Sequence, residues 1–210
     1  MEDLLDIDRI SVQVGLRLIS LVDPNKESTI FDRIGALRRR FAQELGIIVP
    51  LVNTAQNAAD VVRWAKYSPV GSRGVGLARA QGYGAGFAEY VQRANDEIAV
   101  IVQAEHAQAV ENIESIVAVD GIDAIQLGPY DLSASMGKLG QITDPEVVAA
   151  ITRIYSACQQ ANVRVGSFGI TAAAVQADIQ RGATMICAGT DSLFLGQAAS
   201  NMLAAIKPVA

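Results

Sequence analysis

The sequence predicts an α/β fold built on a parallel sheet, and two patterns that begin near Gly46 carry that reading. Short, mainly apolar runs recur, and longer segments with helical spacing separate them. The runs are Ile47 to Val52, Ile98 to Ala104, Ala124 to Leu127, Val163 to Phe168 and Met185 to Ala188. Runs of four or more apolar residues suit strands buried on both faces, as in a parallel sheet. The segments Ala55 to Lys66, Gln108 to Val117, Pro145 to Ala161 and Ala172 to Arg181 read as helices between them. The last ends on Arg181-Gly182, a basic final turn followed by glycine. Strand and helix in alternation imply right-handed crossovers.

The first 45 residues have another style. Ile10, Val12, Val14, Leu16 and Leu18 alternate with Ser11, Gln13, Gly15 and Arg17. That pattern predicts an edge or antiparallel strand over Ser11 to Val22, with one dry and one wet face. Asp23-Pro24-Asn25 then makes a turn. A helix follows with Ile30, Ile34, Leu37, Phe41 and Leu45 on one face, and Gly46 is placed to cap it.

Composition narrows the function classes. The chain has 210 residues, half of them hydrophobic and 19% charged, which excludes disorder and allows a single large domain. A net charge of −5 argues against nucleic acid, and the one basic triplet, Arg38-Arg39-Arg40, reads as solvated helix surface. No leader opens the chain and no apolar run nears the roughly 20 residues that span a bilayer, so a cytoplasmic protein without membrane partners is expected. Cys158 and Cys187 stand in apolar stretches and read as buried free thiols. Trp64 and Tyr67 read as packing residues.

Two segments carry chemistry. Gln103 and Glu105 close a buried strand, and residues two apart on a strand face the same way. Gly128-Pro129-Tyr130-Asp131 follows the next strand directly, where α/β barrels gather their catalytic groups. Taken singly, Glu105 reads as a solvated or capping carboxylate and Asp131 as a helix N-cap. Taken together on neighbouring strand ends, with an amide beside them, they form a candidate site for a hard divalent cation. Spacing alone leaves the two readings level.

The stretch VQAEHAQAVENIESIVAVDGIDAIQLGPYDLSASMGKLGQITDPEV resembles the signature region of the HpcH/HpaI aldolases, and YSPVGSRGVG followed by LARA is similar to that family's preceding loop. The likeness runs from about Gly46 to Ile206, and GPYDLSASMG is its most specific part. The resemblance implies a (β/α)8-barrel-derived fold and reversible cleavage of 2-keto acids to pyruvate and an aldehyde. It implies Glu105 and Asp131 as ligands of Mg²⁺, Mn²⁺ or Co²⁺, and Gln103 as a polar catalytic residue. It also implies that Gly128, Pro129, Tyr130 and Asp131 hold the carboxylate of the keto acid. Arg73, in the glycine-rich loop, joins Gln103 as a candidate catalytic residue, with a lid, a subunit contact or plain surface as its other readings.

The family's histidine base, in a DGEH-like motif, and its keto-acid arginine have no counterpart motif in these residues. The single histidine, His106, reads as a surface or supporting residue. Instead DIDRISVQVGLRLISLVDPN and IFDRIGALRRRFAQELGIIVP resemble the cytoplasmic part of the flagellar and type III secretion export-gate protein. The expectation is therefore a chimera, engineered or naturally fused, with a single divergent aldolase as its alternative. In the chimera, residues 1–46 form a foreign strand–helix segment and residues 47–210 supply aldolase-type units, folded as one α/β domain. About six strands, two short of a closed barrel, would leave edges that favour a homo-oligomer. Weak or lost turnover is expected, with a non-catalytic α/β scaffold as the alternative.

Overall fold

The structure is a computed structural model that describes residues 46–77 and 79–206. The expected edge strand over Ser11 to Val22, its turn, the helix that follows and the arginine triplet lie outside the described residues. So does any sixth strand. The described strands are β1 (Gly46–Val49), β2 (Ala99–Ala104), β3 (Ala124–Leu127), β4 (Arg164–Gly169) and β5 (Met185–Ala188). They form one parallel sheet in the order of the sequence. The helices are α1 (Ala55–Ala65), α2 (Phe87–Glu97), α3 (Ala107–Glu111), α4 (Ile113–Val117), α5 (Pro129–Ser135), α6 (Pro145–Gln160), α7 (Ala172–Arg181) and α8 (Asp191–Ile206). This is the arrangement of a half-barrel: five successive strands, each beside the one before. None of the described helices is long and apolar enough to cross a membrane.

Local chemistry explains most boundaries. Pro50 has no N–H to continue a ladder, so β1 stops at Val49 and not at Val52 as the apolar run suggested. Thr54 caps α1 by accepting from the Asn57 N–H at 3.1 Å, and Thr171 caps α7 from the Ala174 N–H at 3.2 Å. Asp144 caps α6, with Pro145 in its first turn. Gly182, at φ 106°, ends α7 in the left-handed conformation that the Arg181-Gly182 pair predicts.

The helix expected over Gln108 to Val117 is two short ones. Asn112 sits between them at φ −102° and ψ 8°, and its amide donates to the Asn53 carbonyl at 2.9 Å. That bond ties the break to the loop after β1.

The core lies between one face of the sheet and the helices. Val100, Val102, Ala104, Ile125, Leu127 and Val165 alternate along their strands and pack with Val61, Ile113, Ile116, Val147, Ile151 and Ile154. Burying each large aliphatic side chain is worth about 1.5–3 kcal/mol. At the start of the sheet the Asp123 carboxylate accepts the Val100 N–H at 2.7 Å, so a backbone donor is satisfied across two strands.

The glycine-rich stretch after α1 is partly structured. Ser72 and Arg73 donate their backbone N–H groups to the Arg63 and Lys66 carbonyls at 2.7 and 2.9 Å, folding the chain back over the end of α1. Gly71 is needed there, since a Cβ would lie 2.2 Å from the Lys66 carbonyl oxygen. A 3₁₀ segment (Arg79–Gly84) and α2 follow, neither foreseen from the spacing. Buried Lys66 holds the C-terminal end of α2 by donating to the Asn95 and Ile98 carbonyls, both at 2.7 Å.

Three burial expectations divide. Tyr67 is buried, but Trp64 is 59% exposed, with the Arg63 guanidinium over its ring 5.7 Å from the centroid. Both thiols are free; Cys158 is buried and Cys187, on β5, is exposed. Among the described residues β5 pairs on one side only, so its outer surface lacks the cover that β3 has. Helices α7 and α8 bury no residue fully.

Burial pushes the Cys158 thiol up to about 12 from its ordinary 9.0. The folded thiol therefore keeps its proton while the unfolded one ionises, and stability present below pH 9 is lost as pH rises toward 12. Urea unfolding at a series of pH values across that window is expected to show this decline. Cys158→Ala should make it shallower.

Candidate active site

The sheet's second face places the polar residues. With Val100, Val102 and Ala104 turned to the helices, Gln103 points the other way, and Glu105 follows two residues later just past β2. Gln103 pairs in register with Gln126 of β3, and Gln126 with Gly166 of β4, so two amides lie side by side at one level. Gln126 is buried and was not picked out from the sequence. An amide within an otherwise apolar strand, AIQL, was the available signal.

Glu105 is 5% exposed. Its Oε1 accepts the Leu51 N–H at 3.0 Å, and the next amide, that of Val52, donates to the Gln103 carbonyl at 3.3 Å. Leu51 adopts φ 54°, a left-handed conformation unusual for leucine and costing on the order of 1–2 kcal/mol. Burial pushes the Glu105 carboxyl above its ordinary value, the Leu51 N–H draws it back, and the nearby Asp131 charge raises it again.

Gly128 joins the two strand ends. A Cβ there would stand 2.7 Å from both Cβ and Oε2 of Glu105 and 3.2 Å from Nε2 of Gln103. Glycine at this position therefore lets the Glu105 and Gln103 side chains approach the start of α5. Gly128 is also the N-cap of α5, so the residue expected in that role, Asp131, instead lies in the helix's first turn and is exposed.

Two serines of the GPYDLSASMG motif, not singled out from the sequence, lock α5 in place. Ser135 Oγ accepts the Ala107 N–H at 2.9 Å, binding α5 to the segment just after Glu105. Ser133 Oγ donates to the Tyr130 carbonyl at 2.7 Å and accepts from the Gly140 N–H at 3.0 Å. Pro129 opens the helix, and the Tyr130 ring is exposed.

Gln103, Glu105 and Gly128 meet at the strand ends, and the charge of Asp131 is near enough to raise the Glu105 carboxyl. None of the described contacts joins Arg73 to them. Its guanidinium lies 4.6 Å from the Tyr67 ring centroid and 5.7 Å from that of Tyr90, and donates to the Tyr90 hydroxyl at 3.1 Å. His106 caps α3, its Nδ1 accepting the Gln108 N–H at 3.1 Å.

The donor set suits a hard cation. It offers two carboxylates and an amide, and Glu105 has no cationic side chain among its described partners. Among the described residues no group of three or more His, Cys, Asp or Glu side chains could hold a metal. A cation here would complete its shell with water and substrate oxygens, as Mg²⁺ ordinarily does.

Residues 10–198 match the sequence pattern of HpcH/HpaI aldolase/citrate lyase. The 2-keto-3-deoxy-L-rhamnonate aldolase of Klebsiella pneumoniae is 36% identical over 163 residues, covering 77% of this chain and 61% of its own length. The 4-hydroxy-2-oxovalerate aldolase of Rhodococcus jostii is 38% identical over 164 residues, with 78% and 63% covered. The crystal structure of an HpcH/HpaI aldolase/citrate lyase family protein from Burkholderia cenocepacia superposes with a TM-score of 0.72 at 35% identity, over 81% of this chain and 69% of that one. The chain spans about three fifths of the length of the curated relatives named here. Because the family match starts at residue 10, it runs through most of the segment that resembles the export gate, and the expected splice near Gly46 finds no support in it. The chain belongs to the HpcH/HpaI aldolase/citrate lyase family.

Proposed function

We propose that the chain is a divalent-metal-dependent aldolase that cleaves a 2-keto acid to pyruvate and an aldehyde. The observation that carries this is the buried Glu105 carboxylate, set at the end of β2 within reach of the Asp131 charge and packed against Gly128 and Gln103. A scaffold without chemistry has no reason to bury one carboxylate beside another, because both charges raise the cost. The relatives' names, which speak of 2-keto and 2-oxo acid aldolases, support the same substrate class.

In this reading Glu105 and Asp131 hold the cation. A bound divalent ion supplies positive charge to the 2-keto oxygen, where electrons collect as the carbon–carbon bond breaks. The Gln103 amide, on the same face as Glu105, orients the keto acid. The substrate carboxylate rests against the Pro129–Asp131 backbone. Gly128 keeps the two strand ends close, so the donors stand ready before substrate arrives. Cleavage also needs a base for the hydroxyl proton, and the only histidine in these 210 residues has its Nδ1 engaged in capping α3. Turnover by this chain is therefore expected to lie about 10²–10⁴-fold below that of a relative with a positioned base.

Pyruvate release from a 4-hydroxy-2-keto acid, measured with added Mg²⁺, Mn²⁺ or Co²⁺, tests the proposal. Slow, metal-dependent release that disappears in Glu105→Gln is expected. Release that ignores both metal and substitution would sink it.

Gly128→Ala probes the packing behind the site. The added methyl must displace Glu105 or Gln103, so divalent-metal affinity by calorimetry should fall about tenfold or more, with the helical circular dichroism retained.

A further inference from the structure

The chain offers Glu105 a partner that no side chain supplies. The β1 ladder ends at Val49, Pro50 has no N–H, and Leu51 turns into the left-handed region at φ 54°. That turn aims two successive amides at the end of β2: the Leu51 N–H at Glu105 Oε1, 3.0 Å away, and the Val52 N–H at the Gln103 carbonyl, 3.3 Å away. The Leu51 side chain does not hold the turn by packing, being 59% exposed. What the position contributes is its backbone.

The two oxygens of Glu105 are therefore unequal. Oε1 is engaged by the Leu51 N–H, while Oε2 faces Gly128, whose absent Cβ would lie 2.7 Å from it. Gly128 leads directly into α5, which carries Asp131 in its first turn. Only Oε2 stands uncommitted on that side.

We propose that the Leu51 N–H is a positioning group that makes Glu105 a one-oxygen ligand and so biases the site toward small cations over Ca²⁺. The inference rests on the reading of Glu105 and Asp131 as metal ligands. Its chemistry follows from coordination preferences. Ca²⁺ takes six to eight oxygens and commonly draws both oxygens of a carboxylate. Mg²⁺ takes single oxygens in an octahedron at about 2.0–2.1 Å and keeps several waters. A carboxylate pinned through one oxygen serves the second ion and disfavours the first. Outer partners of this kind typically tune metal affinity by about 10–100-fold.

The test replaces the Leu51 amide in the full chain by an ester, incorporating the α-hydroxy analogue of leucine at that position. The N–H becomes an oxygen while side chain and turn persist. Calorimetry with MgCl₂, MnCl₂ and CaCl₂ then compares this protein with the wild type, Leu51→Gly and Glu105→Gln. In the ester protein the preference for Mg²⁺ and Mn²⁺ over Ca²⁺ should narrow about tenfold. Leu51→Gly, which keeps the N–H and accepts the left-handed turn, should keep the wild-type preference. Equal ion preferences in the ester protein and the wild type, with Glu105→Gln no longer binding, would overturn the inference and leave the metal site standing. So would a Leu51→Gly protein that loses its preference as the ester does, since turn geometry and not the N–H would then be responsible. Wild-type protein that binds none of the three ions, or Glu105→Gln that binds them equally well, would overturn both.

Discussion

Each strand of the sheet hydrogen-bonds to the strand before it in the sequence, and all run in one direction. With right-handed crossovers that order sends every connecting helix to the same face. The two faces then do different work. Residues turned toward the helices are uniformly apolar through Val100, Val102, Ala104, Ile125, Leu127 and Val165. Residues of the opposite parity are free to be polar, and Gln103, Gln126 and then Glu105 use that freedom. A buried acidic group is thus accommodated without opening a hole in the core, because it stands on the face the core does not occupy.

Accommodation is not the same as comfort. A carboxylate taken out of water loses several kcal/mol of solvation, and one N–H bond recovers only part of it. Asp131 makes matters worse, since its charge adds to the burial that already raises the Glu105 carboxyl. The surrounding structure keeps the arrangement by constraint: Leu51 in an unfavoured conformation, Gly128 with no room for a methyl, Ser135 bonded to the Ala107 amide. Local costs held in place by several independent devices cluster at functional sites, which supports the proposed reading of Glu105 and Asp131.

How much of this was legible in the sequence depended on which chemical group carries each feature. Side-chain pattern carries the strands, so β3 and β5 coincide with their apolar runs, and α7 closes on its Arg181-Gly182 signal. It also carries the pair Gln103 and Glu105, whose two-residue spacing sets a common face. Backbone chemistry is less visible. Nothing in the letters Pro50-Leu51-Val52 says that leucine will go left-handed and offer its amide to a residue 54 positions away. Long-range satisfaction is likewise silent: Asn112 breaks a helix because its amide reaches the Asn53 carbonyl. Burial of apolar residues fails at the margins for a related reason. Cys187 lies between Ile186 and Ala188, and Trp64 stands on a helix with Val61 and Val62, but what lies over each is decided by the fold.

The distribution of packing then bears on the site's rigidity. The candidate ligands hang from β2, β3 and α5, elements flanked by the densest part of the core, where Val100, Ile113, Ile125, Leu132 and Ile154 are essentially inaccessible to solvent. Helices α7 and α8, by contrast, bury no residue fully, and Phe194, Leu195 and Ile206 stand exposed. Regions of low local packing open at lower free energy than well-packed ones. Motion on the α7–α8 side therefore need not disturb the spacing between Glu105 and Asp131. That spacing is set by short links: an amide from the turn after β1, a glycine between β3 and α5, and a serine hydroxyl from α5 to the residue that opens α3. Each acts through backbone or a small side chain with few rotamers to lose, so the placement of these side chains is held by the fold itself.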